Sequence, residues 1–70
     1  MTKALTAKYE TMTAAQNAHE DLIGTGYPRE KLFFDPDSPE VKVITPEDTE
    51  AQAREILDRH KPREIRETEV

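Results

Sequence analysis

The chain has 70 residues, with 15 Asp or Glu against 10 Lys or Arg and a formal net charge of -5 at neutral pH. That acidic balance excludes a general nucleic-acid or anionic-membrane binder, which needs basic excess. There is no cysteine, so neither disulfides nor a thiolate metal centre reinforce a core that is marginal at this size.

The lack of cysteine fits a reducing cytoplasm. The opening Met1-Thr2-Lys3-Ala4-Leu5 lacks the apolar run of a signal peptide or a membrane span. The sequence therefore predicts a cytoplasmic protein with a single domain over residues 1–70.

Lys3 to Tyr9 alternates, with Leu5, Ala7 and Tyr9 facing one way and Ala4, Thr6 and Lys8 the other, which predicts a half-buried strand. Thr11 or Thr13 then caps a helix, Thr13 with Gln16 as its capping-box partner. Ala15, Ala18, Leu22 and Ile23 fall on one face of that helix. Gly26 ends it, Pro28 bars its continuation, and Tyr27 folds back over its last turn.

Leu32, Phe33 and Phe34 predict a short aromatic strand within residues 31–35, with Leu32 and Phe34 on one face and Phe33 on the other. Asp35-Pro36-Asp37-Ser38-Pro39 is dense in turn formers and reads as a hairpin loop. Val41 to Thr45 is the strongest strand, Val41 and Val43 opposed to Lys42 and Ile44. Thr45-Pro46-Glu47-Asp48 predicts an immediate helix start, with Thr45 as N-cap and Pro46 at the first helical position. Ala53, Ile56, Leu57 and His60 form its apolar face, and Glu50–Arg54 and Glu55–Arg59 are spaced to pair. The helix ends near Lys61 before Pro62. Arg63 to Val70, with Ile65 its one burial candidate, is polar enough only for a sheet edge.

The order β-α-β-β-α-β, with right-handed crossovers, predicts an α+β ferredoxin-like sandwich. The first and third strands are central in an antiparallel four-stranded sheet, and both helices cover one face. The predicted core is Leu5, Ala7, Ala15, Ala18, Leu22, Leu32, Phe34, Val41, Val43, Ala53, Ile56 and Leu57.

Three stretches carry a family resemblance. They are the first strand running into Tyr9-Glu10-Thr11 and an alanine-rich helix, Leu22-Ile23-Gly24-Thr25-Gly26-Tyr27-Pro28-Arg29-Glu30 before a strand, and Ala53-Arg54-Glu55-Ile56-Leu57-Asp58-Arg59-His60 before a polar strand. Together they resemble the short bacterial general-stress domains of the YflT type and related small ferredoxin-like proteins of unknown function. The resemblance implies a stress-associated module without established chemistry. Lys61-Pro62 departs from it where glycine is the easier helix end.

No motif argues for catalysis, a cofactor or a metal. Consecutive His19, Glu20 and Asp21 point apart on a helix, and neither His19 nor His60 has a metal-ligand partner at helical spacing. Asp35, Asp37 and Glu40 lack the spacing and central glycine of a calcium loop. Glu10, Glu47 and Asp48 place negative charge where helix N-termini otherwise attract anions. A small acylphosphatase needs a phosphate cradle, and the only Asn, Asn17, lies inside a helix. An amino-acid-sensing domain wants glycine where Glu10-Thr11 stands. The protein is therefore expected not to be an enzyme.

The open sheet face is the remaining candidate site, carrying Ala4, Thr6, Lys8, Phe33, Lys42 and Ile44. Phe33 and Ile44 form a small apolar patch there, which predicts a weak homodimer or an unlike protein partner, with a plain monomer as the competing outcome. The alternative is weak single-stranded nucleic-acid binding, with Phe33 stacking a base between lysines.

Overall fold

The computed structural model describes residues 2–35 and 37–69. Pro36 of the expected loop and Val70 of the expected last strand lie outside the described residues, as does Met1. Strand β1 (Thr2–Lys8) leads to helix α1 (Met12–Thr25), a single 3-10 turn (Arg29–Lys31), β2 (Leu32–Phe34) and β3 (Glu40–Pro46). A second 3-10 turn (Glu47–Thr49), α2 (Glu50–Asp58) and β4 (Glu64–Glu69) follow. The sheet order is β2-β3-β1-β4 with every pair antiparallel. The βαββαβ arrangement of a ferredoxin-like fold is therefore present, with the polar β4 and the short β2 at the edges.

Local chemistry sets the first helix. Thr11 Oγ1 accepts from Ala14 N–H at 3.1 Å, which makes Thr11 the N-cap rather than Thr13. At the other end Gly26 adopts φ 115° and donates to Ile23 O, while Tyr27 N–H reaches Leu22 O at 3.2 Å. This left-handed cap satisfies carbonyls that the helix leaves open. The Tyr27 side chain, expected over the last turn of α1, packs on the core and its hydroxyl reaches Thr49 and Gln52.

The start of the second helix differs from expectation. Pro46 stays extended (φ -60°, ψ 153°), so helical backbone begins one residue later and as a 3-10 turn. Thr45 remains in the ladder opposite Lys3 and is fully buried. Its hydroxyl pairs with that of Thr49 instead of capping a helix. Thr49 precedes α2 without a side-chain cap. The expected i,i+4 pairs both form, Arg54 Nε to Glu50 at 3.4 Å and Arg59 to Glu55 at 3.8 Å.

Helix α2 ends at Asp58 and a turn carries the chain through His60. Lys61 then takes the left-handed conformation, φ 56°, and is the one non-glycine residue with positive φ among the described residues. This reverses the chain so that Arg63 N–H donates to Lys8 O and β4 begins.

The core lies between the helices and the inward sheet face. Leu5, Ala7, Ala15, Ala18, Leu22, Leu32, Val41, Val43, Ala53, Ile56 and Leu57 are buried as predicted, and Tyr9 joins them. Phe34 departs from that expectation. It sits on the outermost strand, is half-buried, and packs on the core from the side with its ring 5.6 Å from that of His19. An edge strand of three residues has no neighbour to cover its outer flank.

Candidate open-face interaction site

The strand registers place the outward side chains in rows. Lys8 stands opposite Glu40 on β3 and Glu64 on β4. In the next row Phe33, Lys42, Thr6 and Arg66 follow one another from edge to edge. A third row carries Ile44, Ala4 and Thr68. Five of the expected site residues, Thr6, Lys8, Phe33, Lys42 and Ile44, thus share one face.

Exposure within the face is uneven. Phe33 is 48 % exposed, the largest value for a bulky apolar residue among those described. Ile44 and Thr6 are half-buried, whereas Lys8 and Lys42 are exposed. Ala4 is only 3 % exposed although it points outward. A methyl this short sinks between larger cross-strand neighbours. Phe33 lies directly opposite Lys42, so Ile44 is its diagonal neighbour, about 7–8 Å away between backbones and within reach of an aromatic ring.

Glu40, Glu64, Arg66 and Thr68 complete the face and were not among the expected site residues. Ile65 carried the signal for three of them. If it points inward, period two sends Glu64, Arg66 and Thr68 outward. With these residues the face alternates in sign: acid, cation, acid across one row, then two cations in the next. Arg66 contacts Glu64 on its own strand at 2.9 Å.

The remaining charged contacts serve the helix side. Glu67 accepts from Lys3 at 3.2 Å and from Arg54 at 2.7 Å, tying β1, β4 and α2 together. The hydrogen bond from Lys3 holds the Glu67 carboxyl below its usual range, and the same bond raises the Lys3 ammonium. His60 Nε2 lies 3.0 Å from Asp21 Oδ2, and Arg59 reaches the same oxygen at 3.6 Å, joining the C-terminal ends of the two helices. Burial raises the Tyr9 and Tyr27 phenols. Among the described residues no group of three or more His, Asp or Glu side chains gathers to hold a metal ion. No helix among the described residues is long and apolar enough to cross a membrane.

No model of a known protein family, no curated protein and no solved structure matches the chain.

Proposed function

We propose that this chain is a small cytoplasmic, non-catalytic interaction module, stress-associated as its family resemblance implies, whose working surface is the open sheet face and whose partner is a second copy of itself. The observation that carries this is the half-exposed Phe33 set in a face of alternating charge.

The charge pattern is self-complementary. Consider a two-fold axis lying in the interface along the hydrogen-bond direction, midway between the Lys8 row and the Lys42 row. Rotation keeps each strand over its own copy and exchanges the rows. Lys42 then meets Glu40 of the second copy, Arg66 meets Glu64, and Lys8 meets Thr6. Rows lie two residues apart, so the two Phe33 rings approach to about 7 Å across the axis, within contact range for aromatics. The lysine–lysine repulsion that two copies otherwise face is removed by this register.

Size sets the strength. Four strands about 4.8 Å apart, β1, β3 and β4 of six or seven residues and β2 of three, make a face of at most roughly 20 by 20 Å. Two such faces remove on the order of 800 Å², at or below the low end for specific complexes, so association is weak. Diluting the labelled protein should shift the amides of Thr6, Phe33, Lys42 and Arg66 in concert. Concentration-independent spectra would remove the second copy as partner.

One observation favours the nucleic-acid alternative: Arg66 adds a second cation to the row of Phe33 and Lys42. Titration with a single-stranded oligonucleotide distinguishes the two. Salt-dependent shifts at Phe33, Lys8 and Lys42 would favour nucleic acid, and their absence at low salt retires it.

A further inference from the structure

A cleft of about 470 Å³ opens where the end of β3 meets the link between α1 and β2. Its walls include Tyr27, Pro28, Ile44 and Pro46, with Lys31 and Gln52 among the polar residues. The volume falls within the range of small-molecule sites. We propose that this cleft binds a small molecule with a flat apolar body and a carboxylate end.

Charge selects the anion. The chain carries 15 Asp or Glu, yet among the described residues no acid lines this cleft. Among the described residues its single charged one is Lys31, an exposed residue for which no ion pair forms there. An exposed, unpaired lysine lining such a cleft in an acidic protein is matched by a carboxylate.

The other polar groups are donors with slack. Tyr27 Oη reaches Gln52 Oε1 at 3.3 Å and Thr49 O at 3.4 Å. Both exceed the ordinary O–H···O range, so neither holds the phenol firmly. Burial raises the phenol, which keeps it a neutral donor. Gln52 uses its amide oxygen on Tyr27, which leaves its NH2 as a donor. Thr45 and Thr49 satisfy each other's hydroxyls and form a neutral part of the wall. These donors, together with the apolar surface of Pro28, Ile44, Pro46 and the Tyr27 ring, suit an aryl carboxylate.

The cleft meets the open sheet face at Ile44 and, in the next row, at Thr2 and Pro46, and its other lining residues lie away from that face. The test is titration of the labelled full chain with naphthylacetate and, separately, with neutral naphthylacetamide, in dilute solution where the chain is monomeric. Saturable shifts are expected at Tyr27, Lys31, Thr45, Thr49 and Gln52, with the acid binding about tenfold tighter than the amide because of its charge-assisted contact. Lys31→Gln lies on an exposed position and keeps the fold. It should erase the preference for the acid, bringing the acid and amide affinities to within about twofold of each other. Equal affinities for acid and amide in the wild type would overturn the proposal. So would the absence of saturable shifts at about 10 mM, tenfold above the roughly 1 mM dissociation constant expected of such fragments, or shifts confined to Lys8, Lys42 and Arg66.

Discussion

Tyr9 Oη donates a 2.8 Å hydrogen bond to the carbonyl oxygen of Leu57, joining the end of β1 to the last turn of α2. Tyr9 is the largest fully buried side chain among the described residues, and burial with the nearby Asp58 raises its phenol, so it stays neutral. Leu57 O also receives His60 N–H at 3.3 Å. Tyr9→Phe therefore leaves no orphan carbonyl and should cost about 1 kcal/mol, one net hydrogen bond. Tyr9→Ala removes the ring as well and should cost about 3–5 kcal/mol, enough to unfold much of a marginal domain. Urea unfolding followed by circular dichroism reads both, with an unchanged slope expected for Tyr9→Phe.

Lys61 holds φ 56° immediately before Pro62. Left-handed backbone costs a non-glycine residue about 1–2 kcal/mol, and a following proline restricts it further. Glycine removes that cost but adds about 0.5–1 kcal/mol of chain entropy. Lys61→Gly should thus be stabilising by roughly 0.5–1 kcal/mol. A lower thermal midpoint for the variant would show that Lys61 contributes more than backbone geometry.

The Lys3–Glu67 pair predicts how stability follows pH. Its hydrogen bond lowers the folded pKa of Glu67, so that contribution is present above the ordinary carboxylate range and is lost as pH falls through the lowered value. Lys3 is raised from 10.5, so its contribution is present below that value and fades as pH rises through the folded one. Glu67→Gln should flatten both flanks of the midpoint-against-pH curve. The pair is at the surface, so salt at about 1 M should mimic the variant by screening. A variant curve identical to the wild type would show the pair contributes nothing.

Much of the fold was legible because each element carries its own punctuation. Thr11 and Gly26 bracket α1, and the alternation of Val41, Lys42, Val43 and Ile44 fixed which side of β3 faces inward. What failed depended on context. Thr45-Pro46 has the composition of a helix cap, but the ladder with Lys3 kept Thr45 extended and buried its hydroxyl against Thr49. Phe34 has the hydropathy of a core residue, but a three-residue edge strand leaves its flank uncovered. The candidate face was legible from β1, β2 and β3, whereas Arg66 and Glu64 were passed over because their strand was read for its polarity and not for its period. The cleft at Lys31 had no sequence signal, since its walls come from segments distant in the chain.

Sedimentation velocity of charge-reversed variants tests the face-to-face pairing most directly. Lys42→Glu with Arg66→Glu makes every charge of the two exchanging rows acidic except Lys8. Glu40→Lys with Glu64→Lys makes them basic. The wild type should show a sedimentation coefficient that rises with concentration, and Phe33→Ser with Ile44→Ser should abolish the rise. Each charge-reversed protein alone should remain monomeric, and an equimolar mixture should associate at least as well as the wild type, because every exchanged row then meets its opposite. A wild type that stays monomeric at the highest attainable concentration, or a mixture that sediments as two monomers, would contradict the pairing.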